Sequence, residues 1–163
     1  MIGETPLEPT ERGLDEAGDG RLAARARIRV LALYERGRGG AGVLREAAKL
    51  VEANAAELTV VTLAPQDRAP PACGVYADAY NAGVREDAAA ELTEAARLLG
   101  PSGERGRYEQ LVDGRDPPLE ARAAAGGFDL VLLPGRSSLP AARHPARRAL
   151  RRACDAEVRV IRG

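Results

Sequence analysis

The chain has 163 residues, of which 45% are hydrophobic and only 3% aromatic, with no tryptophan. That length suits one domain with a short appendage, and its core must be built from Ala, Val and Leu. The formal net charge is zero, so neither nucleic acid nor a membrane surface would attract the molecule as a whole.

Residues 1–26 are rich in acid, Gly, Pro and Thr and show little periodicity. They read as an acidic, disordered or loosely attached tail. Within residues 1–20, Glu4, Glu8, Glu11, Asp15, Glu16 and Asp19 face a single basic residue, Arg12. This stretch has neither a basic start nor an apolar core of signal-peptide length. No window anywhere reaches the roughly 18 apolar residues of a membrane span. A soluble, cytoplasmic protein with no membrane partner is expected, and residues 27–163 form its single domain.

Order should begin near Ile28. "IRVLALYE" (28–35) is apolar and β-leaning and predicts a first strand. "RGRGGAG" (36–42) reads as a glycine-rich turn. It lacks the GK[ST] ending of a phosphate loop and matches GxGxxG only loosely. Val43, Leu44, Ala47, Ala48, Leu50, Val51 and Ala55 then recur at helical spacing. "ELTVVTLAP" (57–65) predicts a second, buried strand closed by proline. Residues 66–82 read as a long connection interrupted by prolines, of the kind that is often functional. Val84, Ala88, Leu92, Ala95 and Leu99 mark a second helix, stopped by "GPSG" (100–103).

"RYEQLVDG" (107–114) predicts the third strand, with Asp113 and Asp116 as turn formers. "PPLEARAAA" (117–125) is a short helix with proline at its start and a glycine pair at its end. "FDLVLLPG" (128–135) is the fourth strand. "HPARRALRRAC" (144–154) is the fourth helix, and "AEVRVIRG" (156–163) the last strand. The two cysteines, Cys73 and Cys154, form no CxxC or zinc-like spacing and read as reduced thiols.

This alternation predicts an α/β fold: an open parallel sheet with right-handed crossovers and helices on both faces, Rossmann-like. The first, second and fourth strands are continuously apolar, as strands covered on both faces should be. Ligands of such sheets bind beyond the carboxyl ends of the strands, where strand order reverses. That places Tyr34, Glu35 and Gly135 beside the crevice.

Three stretches resemble the universal stress protein family over about residues 27–163. They are "RIRVLALYERGRGGAGVLREAAKLVEANAAELTVVTLAP", "FDLVLLPGRSS" and "ARRALRRACDAEVRVIRG". The resemblance implies five strands in the order 3-2-1-4-5 and dimerisation through the last strand. In nucleotide-binding members it implies Gly-x2-Gly-x9-Gly-Ser after the fourth strand and an Asp at the end of the first. Glycines there let backbone N–H groups approach phosphate oxygens, and the next helix N-terminus adds partial positive charge.

The chain departs from that pattern. Gly135 matches the first glycine, but Ser138 stands at the second. Arg143 and His144 fall where the closing Gly-Ser belongs, with only residues 139–142 between, including Pro140. Tyr34 and Glu35 occupy the aspartate's place. Glu35 can substitute, with its carboxylate displaced.

The expectation is a regulatory or binding module of universal stress protein type, non-catalytic and dimeric, with a degenerate nucleotide loop. The alternative is an ATP- or AMP-binding stress protein that uses Tyr34, Glu35, Gly135, Arg136, Ser137 and Ser138. Arg143 and His144 join those residues as candidate anion ligands, beside a reading of the loop as solvated surface. A hydrolase or transferase of an adenylate-type ligand ranks third, because no nucleophile–base pair supports it. No cofactor is expected under the leading reading, and ATP or AMP under the alternative.

The expected partners are a second copy of the chain, paired along the edge formed by Val158, Val160 and Ile161, and an unidentified protein. Residues 136–163 carry eight arginines against Asp155 and Glu157. Arg147, Arg148, Arg151 and Arg152 form one helix face, either solvated or a surface for acidic groups. No aromatics are interleaved with them, so nucleic acid is not an expected partner.

Overall fold

The computed structural model describes residues 27–66, 74–135 and 147–162. The acidic stretch 1–26, Cys73, and the loop carrying Arg136, Ser137, Ser138, Arg143 and His144 lie outside them. The elements are β1 (Arg29–Leu33), α1 (Arg38–Asn54), β2 (Glu57–Ala64), α2 (Gly74–Leu99), β3 (Arg107–Val112), α3 (Leu119–Gly126), β4 (Leu130–Pro134), α4 (Arg147–Ala153) and β5 (Glu157–Ile161). A 3-10 turn, Gly100–Gly103, follows α2.

The strands form one sheet in the order β3-β2-β1-β4-β5, and every pairing is parallel. This is the order and architecture expected. Side chains alternate across a strand, so β1 divides cleanly between two cores. Val30, Ala32 and Tyr34 pack with Val43, Leu44, Ala47, Ala95 and Leu99 of α1 and α2. Leu31 and Leu33 pack with Leu119, Ala123 and Leu150 of α3 and α4 on the opposite face. Central β4 is buried along its whole length. The edge strands β3 and β5 are only partly covered, which is why their sequences mix charge with apolar residues.

Polar bonds pin α2 to the β2–β3 side of the sheet. The buried Thr62 hydroxyl donates to the Ala88 carbonyl at 3.0 Å, and Gln110 Nε2 donates to the Arg85 carbonyl at 2.7 Å. On the other face, the Arg122 guanidinium of α3 grips Glu109 of β3 with two bonds of 2.6 and 2.7 Å. That hydrogen bonding holds the Glu109 carboxyl below the usual carboxylate range. The unfolded chain therefore takes up this proton first as pH falls. The contribution is complete above the ordinary carboxylate range and is lost as pH falls through the lowered folded value. We expect Glu109→Gln to lose about 1 kcal/mol at pH 7. Urea denaturation at pH 7 and pH 3 should show the difference from the parent shrinking in acid; an equal difference at both would remove the ion pair as its cause.

Three boundaries differ from the sequence reading. Residues 74–82, expected in a long loop, are the first turns of α2. Their large apolar residues Val75, Tyr76 and Tyr80 are exposed, so this part of the helix has no buried face to imprint a 3.6-residue pattern. The "RGRGGAG" turn is also mostly helix, since α1 starts at Arg38. Finally, Ala55 is exposed and left-handed at the C-cap of α1, and does not belong to its apolar stripe.

Candidate functional site

The carboxyl ends of the strands form a crest, and β1 lies at its centre. From β1 the chain crosses to β2 on one side, while β4 pairs on the other. This is the switch point at which open α/β sheets hold ligands. In the β1–β4 register Ala32 faces Leu132. The pairing runs as far as Ala32 and Leu132, and Glu35 and Gly135 each follow three residues beyond it at the carboxyl end of the sheet.

The Tyr34 N–H donates to the Val61 carbonyl at 2.9 Å, which prolongs the β1–β2 ladder past the strand end. Its ring is buried in the α1–α2 core. Burial raises the phenol's pKa, and the carboxylates of Glu94 and Glu91 raise it further. Tyr34 is thus a core side chain with its polar tip turned toward α2. Glu35 is buried as well.

Arg36 connects this strand end to α2. Its Nε donates to Glu94 Oε2 at 3.0 Å, and its backbone N–H donates to Glu91 Oε1 at 3.3 Å. Burial raises the Glu91 pKa; Arg36 opposes the rise, and Glu35 and Asp87 add to it. Arg36 is therefore held by two α2 carboxylates, Glu94 and Glu91, and Glu35 and Asp87 lie near enough to Glu91 to act on it. The α2 contribution escaped the sequence reading, although a signal existed. Asp87, Glu91 and Glu94 are spaced i, i+4, i+7 and so share one helix face.

The first turn of α1 closes over this strand end. Gly37 has φ 123° and starts the helix, and its carbonyl accepts the Ala41 N–H at 3.1 Å. A Cβ at Gly40 would collide with the Glu35 carbonyl oxygen and press on the Tyr34 ring. The glycine run therefore serves the close approach of helix and strand.

At the β4 end, Gly135 donates its N–H to the Ile161 carbonyl at 2.7 Å. A phosphate cradle would need N–H groups of this kind to be open. Here that donor is committed to the β4–β5 ladder, and a Cβ would sit 2.9 Å from the same carbonyl oxygen. Arg136, Ser137, Ser138, Arg143 and His144 lie beyond the described residues.

At the turn after β3, Asp116 Oδ2 accepts the Val112 N–H at 2.8 Å. The Arg115 side chain and then that N–H hold the carboxyl's pKa down. This is a turn-forming role, as expected from the sequence. On α4, Arg148, Arg151 and Arg152 are exposed. Cys154 is a free thiol whose Sγ donates to the Leu150 carbonyl at 3.2 Å. Among the described residues no His/Cys/Asp/Glu group could hold a metal ion, and no helix is long and apolar enough to cross a membrane.

The fold defines the class: a doubly wound parallel sheet of five strands whose order reverses at β1. No protein-family model and no curated protein matches the chain. Solved structures do. Universal stress protein UspA from Lactobacillus plantarum superposes with a TM-score of 0.66 at 17% identity, over 84% of this chain and 99% of that one. A universal stress protein family member from Burkholderia pseudomallei gives 0.59 at 21%, over 82% and 94%. The universal stress protein from Archaeoglobus fulgidus in complex with dAMP gives 0.52 at 19%, over 83% and 97%. The chain has the fold of the universal stress proteins, as the resemblance implied.

Proposed function

We propose that the protein is a regulatory or binding module of universal stress protein type, cytoplasmic and without catalytic activity, whose nucleotide site is degenerate. The observation that carries this reading is the charge at the β1 end. A phosphate charge about 8 Å from one carboxylate, at an effective dielectric constant near 20, is repelled by roughly 2 kcal/mol, or about thirtyfold in affinity. Glu91 and Glu94 at Arg36, with Glu35 and Asp87 near Glu91, outnumber that guanidinium and oppose a triphosphate. The bond from Gly135 to Ile161 withdraws a donor that would have offset them.

A second reading has one specific observation in its favour: a structure of this fold, from A. fulgidus, is a complex with dAMP. A monophosphate brings less charge to the crest than ATP. Under this reading Glu35, Gly135, Arg136, Ser137 and Ser138 surround an AMP-like ligand, while Tyr34 supports the strand end from the core. Calorimetric titration of the full chain with ATP and with AMP, with and without magnesium, decides between the two. We expect no heat from ATP below about 1 mM. Micromolar ATP binding would overturn the degenerate-site reading, and micromolar AMP binding alone would establish the second. Phosphate release above background would revive a hydrolase.

The module acts as a homodimer paired along β5. This strand bonds to β4 on one side and forms the sheet edge on the other. Val158 is buried in its own core, while Val160 and Ile161 are half-buried. An apolar strand edge of this kind favours pairing with a second copy. Sedimentation of Val160→Asp, with circular dichroism to verify folding, should show monomer where the parent is dimeric. A folded variant that remains dimeric would exclude this edge.

A further inference from the structure

A concavity of about 500 Å³ opens at the end of the sheet opposite the crest, where the strands begin. Four arginines line it: Arg27 and Arg29 leading into and starting β1, and Arg105 and Arg107 at the start of β3. Glu57 and Glu104 oppose them.

Arg29 is already engaged. Its Nε lies 3.8 Å from Glu57 Oε2, and its guanidinium stacks 5.5 Å from the Phe128 ring centroid. Arg27, Arg105 and Arg107 are exposed and form no ion pair among the described residues. Arg107 contributes only a weaker attraction to Glu109.

The C-terminus of α1 reaches the same concavity through Ala55, as does the 3-10 turn after α2 through Pro101 and Ser102. The helix end carries roughly half a negative charge. It offsets about a quarter of the surplus of four arginines over two glutamates, so the concavity stays positive.

We infer that this arginine-lined concavity is the docking site of the chain's own acidic segment, Glu4–Asp19. Charge is the first reason. That segment carries six carboxylates against Arg12, and forked guanidinium–carboxylate pairing is the strongest match available to exposed arginines. Connectivity is the second. The segment enters the described domain at Arg27, which itself lines the concavity. Asp19 is eight residues away, a reach of up to about 26 Å, ample to fold back across the site. A short tether supplies millimolar effective concentration, so individually weak ion pairs suffice to hold the segment. This docking is independent of the crest and of whether any nucleotide binds there.

The test uses the full chain, with Cys73→Ser and Cys154→Ser and a nitroxide on Thr10→Cys. Paramagnetic broadening of backbone amides is read in about 50 mM and about 500 mM salt, where screening removes exposed ion pairs. Amides of Ala55, Gly106 and Arg107 should lose at least half their intensity in low salt, relative to high salt. Arg105→Glu/Arg107→Glu should abolish this difference. Combining that pair with Glu11→Lys, Asp15→Lys, Glu16→Lys and Asp19→Lys should restore it. Three outcomes would overturn the inference: no salt-dependent broadening at these amides; broadening centred on Arg148, Arg151 and Arg152 of α4; or broadening only between molecules in a mixture of labelled and isotope-enriched chains, which assigns the site to a second copy.

Discussion

Gly40→Ala is expected to lower stability by about 3 kcal/mol, at the upper end of overpacking costs. The added methyl group meets the Glu35 carbonyl oxygen, a backbone atom, and presses on the buried Tyr34 ring at 3.0 Å. Neither can move cheaply. The Tyr34 N–H is bonded to Val61, and the ring is packed among core residues of α1 and α2. The first turn of α1 must therefore lift from the strand end. Gly83→Ala is the matched control. It is also a helical glycine, but its Cβ would meet nothing within 4 Å. Helix propensity alone predicts a gain there of about 0.5–1 kcal/mol. Urea denaturation of both variants should give opposite signs. A Gly40→Ala protein as stable as the parent would show that the helix does not press on the strand end.

Gly135→Val is expected to cost about 2 kcal/mol with no nucleotide present. Its Cβ would lie 2.9 Å from the Ile161 carbonyl oxygen and 3.3 Å from the Arg162 Cα, against the last bond of the β4–β5 ladder. Amide exchange should rise locally in β5 while β1 and β2 keep their protection. A phosphate-binding glycine without this packing role would leave the apo protein's stability unchanged, and that result would remove the structural reading of Gly135. The variant also bears on dimerisation, because loosening β5 disturbs the edge proposed for pairing.

Gly135 stands where the sequence suggests phosphate chemistry, at the end of the fourth strand, and Gly40 lies in a glycine-rich run that reads as a turn and matches a phosphate loop only loosely. In the structure each lets two backbones approach closely. A glycine in the sequence marks a place where a side chain is unwelcome, but not the group that excludes it. At Gly40 that group is the β1 carbonyl, and at Gly135 it is the carbonyl of the last strand.

The sequence by itself determined the sheet. Apolar runs at Val30–Leu33 and Leu130–Leu133, and one at Leu58–Ala64 interrupted only by Thr59 and Thr62, require cover on both faces. The helices between them oblige parallel pairing with crossovers, and the order 3-2-1-4-5 came with the family resemblance those runs carry. These are signals of burial, and burial is written locally as hydrophobic pattern. The chemistry of the crest was decided only by the tertiary structure. Tyr34 and Glu35 read as ligand-facing residues until Tyr34 is seen packed beneath α1 and turned toward Glu91 and Glu94. Those carboxylates are more than fifty residues away in the chain. The arginine-lined concavity likewise joins Arg27 and Arg29 to Arg105 and Arg107 across the intervening α1, β2 and α2. Charge acts through space between groups that the fold brings together, and no local pattern in the chain records that meeting.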